Sequence, residues 1–336
     1  MQPRTRRTFL KAGAVAALTG GSGCLGTLSS SGESQSATET GLDVQSSFFV
    51  ASDFARQVAG DTATVESLVP FGQHGHGWEP GPDVQRAAAD ADLFVYVGEE
   101  FQPWVDDIVA NLETDAPDVS VVPIRHGVDL LPAPRTDEHQ EQGTEAHDDD
   151  GEESHDYGAR DPHFWLDPTR AAAAVENVAT GVTDADPDNQ ETYESNAASF
   201  VTDLEALDTG FEETLADRSR DVVLIAGHNA FQYLGHRYEF EVHALTGIAP
   251  DATPSPKAIR EAQQVIEEDG VEHVLAPVFE SDRAAQQLVE ETDATEVLPI
   301  TPIPTIKPEW NEQGWGYLDV MREVNLDSLA TALGAT

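Results

Sequence analysis

The sequence predicts two Rossmann-like α/β lobes with parallel sheets, joined by a long, rigid backbone helix. Three observations carry this. Short apolar runs alternate with helix-period stretches over 44–124 and again over 222–300. Such alternation marks βαβ units and a mostly parallel sheet. Between the two sets, 167–218 reads almost wholly helical, with Phe200, Leu204, Leu207, Phe211 and Leu215 at helical spacing. A helix that long between two βα sets is a strut.

The chain opens on a segment outside the fold. Residues 1–24 hold Arg6-Arg7-Thr8-Phe9-Leu10, a twin-arginine signature, then a mildly apolar run ending at Gly21-Ser22-Gly23-Cys24. That run is too short to span a bilayer, and small residues before a lone cysteine resemble a lipobox with Cys24 as the lipidated N-terminus. Residues 25–41 are Ser, Gly, Thr and Glu with almost no apolar content, a flexible tether. The N-terminal lobe is expected over 42–166, with strands at 44–51, 63–69, 93–97 and 119–124 and helices at 53–59, 83–91 and 104–112. Inside it, 133–160 lacks hydrophobic periodicity, is rich in Pro, Asp, Glu and Gly, and carries His139, His147 and His155, so it reads as a disordered acidic insertion. The linking region, 167–218, splits in two, because Pro187 after Asp186 starts a new helix as an N1 proline. The C-terminal lobe, 219–336, reads as strands at 222–226, 241–245, 273–276 and 297–300, helices at 229–238, 255–268 and 283–291, and a final helix at 317–332.

Composition limits the function. The 336 residues carry 62 acidic against 18 basic side chains, a net charge of −44. That balance excludes a nucleic-acid partner, which needs a basic face, and fits a salt-rich habitat in which carboxylates keep the surface hydrated. The single cysteine, Cys24, excludes both a disulfide framework and a thiolate zinc site.

Three histidines share a setting. His76 stands in Gly75-His76-Gly77-Trp78-Glu79-Pro80, His163 in Asp161-Pro162-His163-Phe164-Trp165-Leu166-Asp167-Pro168, and His228 in Gly227-His228-Asn229-Ala230-Phe231. Each follows a strand or long loop and sits in or before a turn, and ligands gather beyond the carboxyl ends of parallel strands. So far apart in sequence, they meet only in a cleft between lobes. Taken alone, each is as well explained as a surface or hydrogen-bonding histidine; together they make a three-imidazole set suited to zinc. Neutral imidazole is the binding form, so affinity falls as pH drops below about 6.5. His126, His236, His243 and His273 read as structural or exposed.

These three stretches, with 71–80 read whole from Phe71-Gly72-Gln73-His74, resemble the ZnuA/TroA-type solute-binding lipoproteins of metal ABC transporters. Supporting matches lie at Pro103-Trp104, at Gly247-Ile248-Ala249-Pro250 and at Tyr317-Leu318-Asp319, so the resemblance spans about 44–332. It implies metal between two lobes, with His76, His163 and His228 as ligands, and a monomer anchored by lipid on the extracellular face of the cytoplasmic membrane. Such a protein hands Zn2+ to a permease driven by its ATPase. Relatives that carry manganese tend to have a carboxylate where His228 stands, so zinc is expected over manganese or iron. His139, His147 and His155 resemble the metal-gathering loop of zinc members; a plain solvated acidic loop is the other reading. The family's fourth ligand, an aspartate near the last strand, has no counterpart, because no Asp occurs between Asp293 and Asp319. Water, Glu280 or Glu309 is left for that position, with Glu280 favoured among the side chains. His74 and Glu79 are placed around the shell, Glu79 as an acceptor for the second N–H of His76. A zinc-dependent hydrolase is the rival reading, against which stand the missing His-Glu-x-x-His and nucleophile-elbow motifs.

Overall fold

The computed structural model describes residues 41–72, 78, 80–134, 160–250 and 252–335. Two four-stranded sheets, all parallel, form its two lobes. The first comprises β1 (Leu42–Ser46), β2 (Ala63–Ser67), β3 (Leu93–Tyr96) and β4 (Ser120–Pro123) in the order β2-β1-β3-β4. The helices α1 (Phe49–Ala59), α2 (Pro82–Asp90) and α3 (Pro103–Asp115) connect them. Then come α4 (Pro168–Ala185) and α5 (Gln190–Leu215), separated by one 3-10 turn at Pro187–Asn189. The second lobe holds β5 (Val222–Ile225), α6 (Gln232–Tyr238), β6 (Glu241–Ala244), α7 (Pro256–Asp269), β7 (His273–Pro277), α8 (Arg283–Glu291) and β8 (Glu296–Ile300). Its strand order, β6-β5-β7-β8, repeats that of the first. Two short helices follow, α9 (Pro308–Glu312) and α10 (Tyr317–Val320). The second runs through a π-helical turn, Met321–Leu326, into α11 (Asp327–Leu333). Among the described residues no helix is long and apolar enough to cross a membrane.

The parallel sheets follow from their strands. Leu93–Tyr96 is buried throughout, as a strand covered on both faces must be. The outer face of the first sheet packs Phe94 and Tyr96 on Val105, Ile108 and Leu112 of α3. The outer face of the second packs Leu224 and Val274 on Ile266 of α7 and Leu288 of α8. Between the lobes one continuous core runs from Val44 and Phe54 through Phe200, Leu204 and Phe211 of α5 to Ile225, Tyr317 and Leu333. The strut is therefore a pair of helices, with the longer, α5, bearing its apolar stripe against both lobes. Asp167 caps α4 by accepting from the Thr169 N–H at 2.9 Å, with Pro168 at N1.

Two boundaries differ from expectation. The stretch 44–51 is strand only to Ser46; helix begins at Phe49, where the Ser52 N–H donates to the Phe48 carbonyl at 2.9 Å. Phe48 to Ala51 are all buried, so an apolar run that could have been a buried strand is the opening of a helix packed between the first sheet and the helices α4 and α5. Likewise α6 begins at Gln232 rather than Asn229, whose N–H is tied to the Gly247 carbonyl at 2.9 Å.

Candidate metal centre

In each sheet the chain leaves the first strand to one side and returns on the other. The crevice beyond the carboxyl ends of β1/β3 and of β5/β7 is thus a topological switch point, the usual ligand position in such sheets. His228 follows β5 and Glu280 follows β7, on neighbouring parallel strands. Gly227 permits their approach: a Cβ there would lie 2.6 Å from Glu280 Oε2 and 2.5 Å from the Pro277 ring. His163 arrives from the other side, at the start of the 3-10 turn Phe164–Leu166 that leads into α4.

The two imidazoles face each other with ring centroids 5.4 Å apart, and each is only 2–3% exposed. His163 Nδ1 lies 2.9 Å from Asp161 Oδ1, which also accepts the His163 backbone N–H at 2.9 Å. His228 Nδ1 pairs with Glu280 Oε1, and its backbone N–H donates to Oε2 of the same carboxylate at 3.3 Å. A carboxylate only accepts, so in both rings Nδ1 carries a proton, and the neutral tautomer that this selects has its lone pair on Nε2. Burial pushes the His163 imidazolium below its usual pKa, against the opposing pull of Asp161, so this ring stays neutral to a pH lower than the sequence alone predicts.

Aromatic packing fixes the site's floor. Trp165 stands edge-on to His163 at 5.4 Å and packs against Phe48 and Phe101. Its indole N–H donates to the Pro302 carbonyl at 2.8 Å, and its own carbonyl accepts from the Tyr317 hydroxyl. Across the lobes the Tyr233 hydroxyl donates to the Asp161 carbonyl at 2.7 Å and accepts the Leu131 N–H at 2.9 Å. Pro250, Pro302 and Pro304 line the small cleft over His163 and His228. Ile303 between two of these prolines has φ +57°, a left-handed conformation that costs a β-branched residue about 1–3 kcal/mol.

Of the predicted residues the structure brings together His163, His228 and Glu280. His74, His76 and Glu79 lie outside the described residues, as do His139, His147, His155, Cys24, Arg6 and Arg7. Among the described residues no set of three or more His, Cys, Asp or Glu groups converges as a metal cage. Glu309 is exposed in the first turn of α9. Of the histidines read as structural or exposed, His243 pairs with Glu241 at 2.9 Å. Sequence reasoning passed over Asp161, which is fully buried, orients His163, and has no hydrogen-bond partner for Oδ2 among the described residues. Its signal was the spacing Asp161-x-His163 within the quoted motif. The donor set suits zinc: neutral imidazoles with carboxylate-fixed tautomers are ligands for that borderline-soft ion.

Known proteins resemble this chain in sequence and in fold. The zinc-binding lipoprotein AdcA of Streptococcus pneumoniae is 32% identical over 293 residues, covering 86% of this chain and 55% of that relative. The chain thus spans about half the length of that relative. The high-affinity zinc uptake system protein ZnuA of Bacillus subtilis is 31% identical over 293 residues, covering 87% of this chain and 88% of the relative. The crystal structure of the Zn(II)-bound ZnuA-like domain of S. pneumoniae AdcA superimposes with a TM-score of 0.71 at 28% identity, covering 87% and 99% of the two chains. A family model described as "ZnuA: Zinc-uptake complex component A periplasmic" matches residues 44–332. With paired buried imidazoles, twin parallel sheets and a match over nearly all the folded chain, this protein belongs to the ZnuA family.

Proposed function

We propose that this protein captures Zn2+ outside the cytoplasmic membrane and delivers it to the permease of an ABC transporter, which is driven by its ATPase. The observation that carries the reading is the buried His163–His228 pair, with both Nδ1 atoms held by carboxylates and no hydrogen bond to either Nε2 among the described residues. His76 supplies the third imidazole from the loop after β2. The fourth position goes to water, or to Glu280 once it has released His228 Nδ1. Binding with no turnover is the activity: the ion is cargo, and the chain's residues exclude water and hold it in a neutral, tetrahedral set. Zinc titration of the full chain by calorimetry tests this. One tight site is expected, and His163→Ala should weaken it by at least about 100-fold, since it removes a ligand and not merely its support. Unchanged affinity in that variant, or tight manganese in place of zinc, sinks the reading.

The same proposal places the protein on the outer face of the membrane. The Arg6-Arg7 signature supports export in the folded state, and the small residues before Cys24 support a lipid anchor. Cys24→Ser should move the exported protein from the membrane fraction to the soluble one; retention on membranes contradicts the anchor.

A further inference from the structure

The chain between β8 and α9 is a strap across the metal cleft. It has no carboxylate, and its hydrogen bonds come from three parts of the molecule. Thr301 is gripped at both backbone groups by one side chain: its N–H donates to Asn325 Oδ1 at 2.9 Å, and its carbonyl accepts from Asn325 Nδ2 at 2.9 Å. The Thr301 hydroxyl accepts the Ile303 N–H at 2.9 Å and so supports that residue's left-handed backbone. The Pro302 carbonyl is taken by the Trp165 indole, and the Thr305 hydroxyl accepts the Gly72 N–H of the first lobe at 2.9 Å. Thr301, Ile303, Thr305 and Asn325 are all buried.

Asn325 stands in the π-helical turn Met321–Leu326. A π turn in an otherwise α-helical run carries an extra residue, is rare, and tends to mark functional positions. A fully buried asparagine that bonds both backbone groups of Thr301 as well as the Met321 sulfur, and a buried left-handed isoleucine, are two departures from easy folding at one short strap. Of the strap, Pro302 and Pro304 line the small cleft with the two imidazoles, and their side chains carry no donor atom. Manganese prefers six mostly oxygen ligands, whereas zinc is content with four. Side chains that offer no oxygen ligand on this wall disfavour a six-coordinate shell and so favour the smaller one.

We propose that Asn325 is a positioning residue that fixes the strained strap 301–305 against His163 and His228, so that the proline wall denies the site to six-coordinate metals. The inference rests on the zinc-site reading and adds the element that sets its selectivity.

Cobalt(II) loading of the full chain, with zinc and manganese competition, tests it. Visible d–d absorption separates strongly absorbing four-coordinate cobalt from weakly absorbing six-coordinate cobalt. The wild type should show the intense bands. Asn325→Ala should lose most of that intensity and reduce the zinc-over-manganese preference by about 10-fold or more, the range expected when a group supporting a ligand shell is removed. General destabilisation would lower both affinities together and leave their ratio unchanged. Pro304→Ala, which leaves the clamp intact, should shift the ratio in the same direction and carries the test should Asn325→Ala fail to fold by circular dichroism. Folded variants with wild-type spectra and an unchanged ratio overturn the inference alone, and so does a wild type with six-coordinate cobalt. A wild type that takes up neither zinc nor cobalt overturns the site reading and the inference with it.

Discussion

At the scale of single residues the site is two imidazoles and the two carboxylates that fix them. Asp161 is close to His163 in sequence, and its loop position forces the contact. Glu280 comes from 52 residues beyond His228, and only the pairing of β5 with β7 brings them together. Removing the negative charge while keeping the shape separates orientation from ligation. Glu280→Gln should reduce zinc affinity by about 10–100-fold if the carboxylate orients His228, as such outer partners do. A loss as large as that of His163→Ala would make Glu280 the fourth ligand, and no loss would remove it from the site. The histidine motifs are legible because each is a short, local string of residues. Asp161 was on the page in the same string and went unread, since nothing in a sequence separates an orienting carboxylate from an exposed one. The Asn325 clamp had no signal: it depends on where a helix from the chain's end meets a loop 24 residues earlier.

At the scale of elements, strands and long helices were legible from apolar runs and helical spacing, and the break at Pro187 from proline chemistry. What failed was the start of α1, because its first residues are buried on all sides and so lose the periodicity that would have marked a helix. The same burial sets a titration. Asp53 of α1 is 6% exposed and accepts the Tyr317 N–H at 3.1 Å, where α10 begins. Gly316 lets it in, since a Cβ there would lie 3.0 Å from Oδ1. Burial, opposed by that hydrogen bond and by Arg56, lifts its pKa from 3.8 to about 6. Between those values the folded chain binds more protons at this group than the unfolded chain does. Its contribution to stability therefore grows as pH falls from about 6 towards 4, and is lost as pH rises back through 6. In Asp53→Asn that dependence should vanish. The stability difference between variant and wild type should change by on the order of 3 kcal/mol between pH 7 and pH 4, in the direction that favours the variant at pH 7. Chemical denaturation at the two pH values measures it, and a pH-independent difference would contradict the assignment.

At the scale of the whole molecule, charge and architecture act separately. The fold class follows from the order of the elements, and its two sheets share one strand order. The net charge of −44 has no part in that order. It is a cost to the compact state through self-repulsion, which salt screens with a Debye length of about 8 Å at 0.15 M and about 3 Å at 1 M. The thermal midpoint should accordingly rise as potassium chloride is raised from 0.1 M towards 2 M. A flat or falling midpoint would leave the acidic surface without a role in stability. The central claim is that His163 and His228, two imidazoles from opposite lobes, share one zinc ion with a third from the loop after β2. X-ray absorption at the zinc edge of the loaded full chain tests it most directly. One zinc per chain is expected, with three imidazole nitrogens at about 2.0–2.1 Å and one oxygen. A shell of oxygens alone, or one with a single imidazole, would contradict it.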